Sequence, residues 1–379
     1  MTLNSCVAIT SRLQRFFISF ILVLAAIPTV YAEDSWRLAL PGWRYEFPRD
    51  HFAHADFKTE WWYFTGNLRD ESGRRYGYQL TFFRQGIRPF ATRGQTKSRF
   101  ICNELKFAHF AVSDPAGKRF LFTQKTSRGA FDEAGFAKSE RIAWIDEWSL
   151  APQPDGSMKF SAAMNGASIS LTAKPEKPWV LHGVNGVSQK ADGEGHASHY
   201  YSGTRLTTRG NLTLSGRELN VTGTSWFDQE WATNQLTLQQ VGWNWFSLHL
   251  ADGTELMLYQ MRLRDGSLDP NSSGTFIARD GIAQHLRRDD YKLTPTRWWT
   301  SDVTKARYPV AWQLRIPSLN IEAEVTTPLD KQELELPPIA YWEGMIDFSG
   351  TRAGQPIYGE GYMELTGYAG PLGGLSKTQ

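Results

Sequence analysis

Short apolar runs, rich in aromatic and β-branched residues and broken by Gly, Asp, Asn and Pro, recur along most of the chain, while long stretches of helical period are missing. The pattern predicts many short β-strands. The clearest hairpin joins 243–250 to 254–262 through Asp252-Gly253, because Asp-Gly supplies the positive φ angles of a tight turn. Asp280-Gly281, between 275–279 and 282–286, repeats the device. Two more hairpins are predicted, 107–112 with 119–124 around Asp114-Pro115-Ala116-Gly117, and 158–163 with 168–173. Only 131–145 carries a weak helical pattern.

One unit is echoed later in the chain. Trp62-Tyr-Phe-Thr-Gly-Asn-Leu-Arg-Asp70, a turn, then Tyr78-Gln79 and Arg84 match Trp245-Phe-Ser-Leu-His-Leu-Ala-Asp252-Gly253, a turn, then Tyr259-Gln260 and Arg262. Phe64 pairs with Phe246 and Leu68 with Leu250, and the echo predicts a duplication with its boundary near Leu236. A barrel wide enough for a ligand takes about eight strands. The expected class is therefore all-β, two tandem β-barrel domains over 33–235 and 236–379.

Residues 1–32 read as an export signal. Arg12 and Arg15 form a basic start, 16–27 an apolar core and Val30-Tyr31-Ala32 a small-residue cleavage site. The apolar core is too short to span a bilayer, which takes roughly 20 residues. A soluble, secreted and periplasmic protein is expected, not one that spans the membrane. Removing the signal takes two arginines from 41 basic residues and none from 39 acidic ones, leaving 39 of each. A neutral surface offers no long-range attraction to phosphate backbones, so no nucleic-acid partner is expected. Of two cysteines, Cys6 leaves with the signal and Cys102 cannot form an intrachain bridge alone, which excludes a disulfide scaffold.

Candidate chemistry concentrates at Gly223-Thr-Ser-Trp-Phe-Asp-Gln-Glu-Trp-Ala-Thr233. Asp228 and Glu230 stand two apart, hence on one face of a strand, among Trp226, Trp231, Trp243 and Trp245. An acid enclosed by rings is poorly solvated and its pKa rises, which suits proton donation near neutrality. On a solvent-facing strand the same pair would be mere surface charge. The segment 182–202, with Gly183, Gly186, Gly193 and Gly195 and with His196, His199, Tyr200 and Tyr201, reads as a loop over a pocket mouth; a disordered linker is the plainer alternative. His51/His54 and His196/His199 would share a face with metal-ligand geometry only on a helix, and no metal is expected.

Together, His54 with Glu60-Trp-Trp-Tyr-Phe-Thr-Gly66, Tyr78-Gln-Leu-Thr-Phe-Phe-Arg84, Ala108-His-Phe-Ala111, Ser198-His-Tyr-Tyr-Ser202, Ser225-Trp-Phe-Asp-Gln-Glu-Trp231 and Gly242-Trp-Asn-Trp-Phe246 resemble the secreted branch of the carotenoid 1,2-hydratase (hydroxyneurosporene synthase) family, whose relatives are often termed predicted secreted hydrolases. The resemblance covers nearly all of the expected mature chain. It implies a pair of lipocalin-like barrels and addition of water across an isolated C=C bond of a long apolar isoprenoid. Relatives also include phenolic hydratases and enzymes that steer cycloadditions. Hydrolysis draws no support from the residues, which lack a Gly-x-Ser-x-Gly elbow and a His-Glu-x-x-His motif.

Alkene hydration needs an acid, aromatic faces for the developing cation and a held water. Asp228 is the first candidate acid and Glu230 the second. Trp62, Tyr78, Trp226, Trp231, Trp243, Trp245 and Tyr259 are candidate pocket walls, and His199 and Tyr200 candidates to position water. Each has the alternative of plain core packing. The expectation is a cofactor-free hydratase-type lyase acting on a hydrophobic substrate. Its rival is a lipocalin-like carrier of a hydrophobic ligand or lipid serving an envelope transport system, and the two differ in whether Asp228 or Glu230 faces the pocket with a raised pKa.

Overall fold

The computed structural model describes residues 36–93, 101–137, 139–337 and 339–370; the export signal read at 1–32 lies outside them. Among the described residues helical structure is confined to short 3-10 turns, and no helix is long and apolar enough to cross a membrane. Phe131, within the stretch of weak helical pattern, enters a 3-10 turn with positive φ, and the strands Ala134–Phe136 and Ala143–Ile145 follow. The helical expectation there fails because β-strand neighbours supply the backbone partners that a helix would have supplied itself.

Strands β1 (Thr59–Asp70), β2 (Arg75–Gly86), β3 (Glu104–Asp114) and β4 (Arg119–Ser127) open the first sheet as a meander. Three short strands follow, β5 (Ala134–Phe136), β6 (Ala143–Ile145) and β7 (Trp148–Pro152), then the hairpin β8 (Met158–Met164) and β9 (Ala167–Pro175). Two short strands, β10 (Val180–Leu181) and β11 (Val187–Gln189), lead into the long pair β12 (Ala197–Leu214) and β13 (Arg217–Ala232). The pairing order is β4-β3-β2-β1-β13-β12-β9-β8-β7-β6-β5, which curls into a nearly closed barrel.

The second sheet begins after residue 239. It comprises β14 (Gln240–Leu250), β15 (Glu255–Leu263), β16 (Ser273–Ile277), β17 (Ala283–Arg287), β18 (Lys292–Thr300), β19 (Arg307–Ile316), β20 (Ile321–Thr326), β21 (Glu333–Leu336), β22 (Ile339–Arg352) and β23 (Gln355–Leu365). Its order, β17-β16-β15-β14-β23-β22-β20-β19-β18, repeats the first, with the opening strand held between the second strand and the last. This sheet forms a half-barrel. The Asp252-Gly253 turn sits where expected, with Gly253 at φ +82°.

Period-two alternation explains why the central strands are buried on both faces. In β1, Trp62, Phe64 and Leu68 fill the first barrel with Phe227 and Trp231 of β13. In β14 and β15, Phe246, Leu248, Leu250, Leu256 and Leu258 fill the second with Trp342, Ile346 and Met363. The opposite faces meet in a third cluster, where Tyr63, Tyr200 and Trp226 of the first sheet pack on Trp245, Met257, Tyr259, Met261, Met345 and Tyr362 of the second. Gly77 is a contact point on this seam: a Cβ there would collide with Met345 and Tyr362. Buried bonds tie the seam, among them His109 Nδ1 to the Tyr341 hydroxyl at 2.7 Å and Glu255 to both Arg205 and Lys177 at 2.5 and 2.7 Å.

The register corrects part of the internal echo. Phe64/Phe246 and Leu68/Leu250 do face their respective cores, but Trp62 points into the first barrel whereas Trp245 faces the seam. Tyr78 and Tyr259 differ in the same way. The partner of Trp245 on the seam is Tyr63, one residue along from Trp62.

Candidate active site between the two sheets

Apolar side chains pack the inner faces of the barrel and of the half-barrel, and a large cavity opens between the two sheets. It measures about 1070 Å³ and is bounded by the outer faces of β1, β2 and β13, by β14, β15, β22 and β23, and by residues 233–238. That is at the upper end of ordinary ligand sites. Trp61, Phe83, Phe107, Leu236, Trp243 and Met261 give it apolar walls.

Asp228 stands on the seam face of β13, with Tyr63 opposite it on β1 and Ser202 opposite on β12. Its carboxylate accepts three bonds, from the Tyr200 hydroxyl at 2.8 Å, from Trp226 Nε1 at 2.6 Å and from the Ser202 hydroxyl. Those donors favour the ionised form, yet burial dominates and lifts the Asp228 pKa to about 7. Behind Ser202 the chain of bonds continues through His182 Nε2 at 2.6 Å and from His182 Nδ1 to the Thr275 hydroxyl at 2.8 Å. Burial holds His182 neutral, its pKa well below the ordinary histidine value.

Glu230, two residues along on the same face, pairs with Lys190 Nζ at 3.4 Å. Burial raises its pKa despite that ammonium. Burial alone would lower Lys190, but Glu230, Tyr259 and Asp228 outweigh it and keep the ammonium charged. Lys190 also lies over the Tyr259 ring at 4.1 Å and the Tyr200 ring at 5.0 Å.

Two further acids reach the cavity from the second sheet. Glu343 on β22 and Glu364 on β23 are directly opposed. Glu364 accepts from Trp243 Nε1 at 2.9 Å, and burial, reinforced by Asp228 and Glu230, raises its pKa to about 7. Neither oxygen of Glu343 has a partner in bonding geometry; burial, then Glu364, drive its pKa well above the ordinary value, although the Tyr63 and Tyr341 hydroxyls lie near enough to oppose the shift. Like charges directly opposed on a sheet repel, so the pair favours holding a proton.

Of the residues singled out in the sequence, Asp228, Glu230, Tyr200, Trp243, Trp245 and Tyr259 line the cavity. Trp226 is buried behind Asp228 and orients it. Trp62, Tyr78 and Trp231 belong to the first barrel's interior instead, because their strand parity turns them away from the seam. His199 packs on Trp43 and Trp231, with ring centroids 5.1 and 5.4 Å away, and is also outside the lining. The expected mouth loop is strand only in part: 187–189 belong to β11 and 197–202, with His199 and Tyr200, to β12, while the irregular stretch 190–196 between them brings Lys190 and His196 to the cavity beside Tyr200. The histidine pairs diverge. His51 bonds Tyr201 at 2.7 Å, His54 joins Asp50 and Glu60, and His196 bonds the Asn234 carbonyl at 2.7 Å. No cluster fit to hold a metal ion occurs among the described residues. Sequence patterns left Glu343, Glu364, Tyr63, Tyr341 and Lys190 unassigned. For both glutamates the signal was present, since each is an acid inside an aromatic strand, as Asp228 is.

A family model described as AttH-like matches residues 38–368. The chain belongs to the AttH-like family. Its barrel and half-barrel are the two-domain lipocalin-like arrangement of AttH, seen in the crystal structure of the AttH protein NE1406 from Nitrosomonas europaea: 36% identity, TM-score 0.79, 88% of this chain and 99% of that one. Kievitone hydratase from Nectria haematococca shares the fold at 13% identity, with a TM-score of 0.68 over 89% of this chain and 97% of that one. Among curated proteins this AttH-like chain is 23% identical over 219 residues to dehydratase asqC of Emericella nidulans, a match covering 55% of this chain and 60% of that protein.

Proposed function

We propose that this AttH-like protein is a hydratase-type lyase that adds water to, or removes it from, a C=C bond of a hydrophobic substrate of isoprenoid or lipid class, within the cavity between the sheets. The observation that carries the reading is Asp228: a carboxyl facing an aromatic cavity, fixed by three donors and half protonated near pH 7. The names of the relatives agree with it, one a hydratase and one a dehydratase, which are two directions of one reaction.

In the hydration direction Asp228 gives its proton to one alkene carbon. The cation developing on the other carbon faces the Trp245 and Tyr200 rings. A water held by Glu230 and Lys190 supplies the oxygen, and its surplus proton returns to the Asp228 carboxylate, restoring the acid. One C–H and one C–O bond form, and the π bond is lost. In the dehydration direction the same carboxylate removes the C–H proton.

Residues 1–32 act as an export signal in this reading, so the reaction belongs to the periplasm, as in the secreted branch of the carotenoid 1,2-hydratase family. Incubation of the purified protein with long-chain isoprenoids and unsaturated phenols in ¹⁸O-water, followed by mass spectrometry, tests it. Products that gain one labelled water support hydration. Binding of these compounds with no labelled product from any of them would favour a carrier.

A further inference from the structure

The acid pair on the second sheet is not needed to protonate an alkene at Asp228, and its burial is costly. Glu343 is 1% exposed, lines the cavity and leaves both oxygens without a partner in bonding geometry. The Tyr63 hydroxyl lies beside it, also out of bonding geometry. A buried carboxyl whose only near donors, the Tyr63 and Tyr341 hydroxyls, miss bonding geometry is poorly solvated in the empty protein, and a better-placed donor on a ligand would relieve that.

We propose that the second-sheet wall, Glu343 with Glu364, binds a protonated amine, so that the ligand is an amphipathic ammonium compound whose apolar body lies along Trp61, Phe83, Phe107 and Met261. The inference rests on the cavity being the substrate site, as in the hydratase reading. The charge inventory favours a cation. Facing the pair are Tyr63 of β1, Tyr341 of β22 with His109 of β3 bonded to it, Tyr362 of β23, and Asp228 and Glu230 of β13. Of the Lys and Arg side chains in the lining, Lys190 is already matched to Glu230 and Arg84 to Glu60, and Lys58 is not without a partner either. The rings of Tyr63, Trp243 and Trp245 line the same cavity, and aromatic surroundings suit an ammonium group better than an anion. A neutral alcohol would satisfy one oxygen only. On binding, the pair releases its proton to solvent and forms an ion pair with the ammonium, so affinity rises with pH as long as the amine stays charged.

Tryptophan fluorescence titration of the full-length protein with dodecylammonium, dodecanol and dodecanoate, at pH 5 and pH 8, tests this. Dodecylammonium should bind at pH 8 roughly 10–100-fold tighter than dodecanol, the margin of a charge-assisted bond, with dodecanoate weakest. The margin should shrink at pH 5. Glu343→Gln should remove most of it without weakening dodecanol, and Glu364→Gln should reduce it. Equal affinity for the three heads, or a margin that survives both substitutions, overturns the proposal. If the amine preference exists while no alkene gains water, hydration fails and the amine site stands; labelled product without an amine preference overturns the amine site and leaves hydration standing.

Discussion

The Tyr200 hydroxyl donates to Asp228 Oδ2 at 2.8 Å while itself accepting from Trp245 Nε1 at 3.2 Å, which links the acid on the first sheet to a ring on the second. The bond stabilises the carboxylate, so it tempers the upward pull of burial. Tyr200→Phe removes one charge-assisted donor, about 1.5–3 kcal/mol, and should raise the Asp228 pKa by roughly 1–2 units. Because hydration needs the protonated acid, turnover in the wild type should fall as pH rises through about 7. In Tyr200→Phe that alkaline limb should move upward. A pH profile that does not shift separates Tyr200 from the acid.

The raised acids also set how stability depends on pH. Asp228 and Glu364 titrate near 7 when folded but in the ordinary carboxylate range when unfolded, so the native state holds extra protons between roughly pH 4 and 7. Their contribution therefore turns increasingly unfavourable as pH climbs through that window and is constant above it. Asp228→Asn and Glu364→Gln should each stabilise the protein at pH 8 by about 1–3 kcal/mol more than at pH 5. Thermal denaturation of both variants at the two pH values measures this; equal effects at pH 5 and 8 would contradict it.

At the end of the first barrel Glu60 accepts from the His54 backbone amide at 2.8 Å, from His54 Nδ1 at 2.7 Å, from Gln229 Nε2 at 3.0 Å and from Arg84 Nε at 3.3 Å. Burial would lower the His54 pKa, but Glu60 and Asp50 outweigh it and raise it above the ordinary histidine value, and the ring stacks on Trp231 at 3.7 Å. Glu60→Ala takes the shared carboxylate from two buried basic groups, leaving His54 with Asp50 at 3.3 Å and Arg84 with Glu104 at 3.7 Å. It should cost roughly 3–5 kcal/mol in urea denaturation, the usual penalty for breaking a buried ion pair. A loss under about 1 kcal/mol would mean the network is solvated.

Much of this was legible in the chain. Asp252-Gly253 marks its hairpin because few other dipeptides tolerate that turn, and Asp228 among tryptophans marks a buried acid. The sheet that a strand's second face meets was not legible. The alternation of β1 and β14 identifies two faces but not which of them borders the cavity, so Trp62, Tyr78 and Trp231 read as walls although they fill the first barrel. Parity decides it: Trp226, Asp228 and Glu230 share one face of β13, and Phe227, Gln229 and Trp231 the other. The closure of the first sheet and the openness of the second depend on long-range pairing, which local patterns do not record. Glu343 and Glu364 each carried the signal of an acid inside an aromatic strand, but their opposition across β22 and β23 exists only in the register.

The most direct measurement compares Asp228→Asn with the wild type under saturating amounts of a substrate that gains ¹⁸O. The amide preserves size and can still accept from Tyr200 and Trp226, but it has no proton to transfer. Turnover should fall by roughly 10²–10⁴ while the dissociation constant changes little. Turnover within about twofold of the wild type, in Asp228→Asn and in Glu230→Gln alike, would contradict the assignment of the acid.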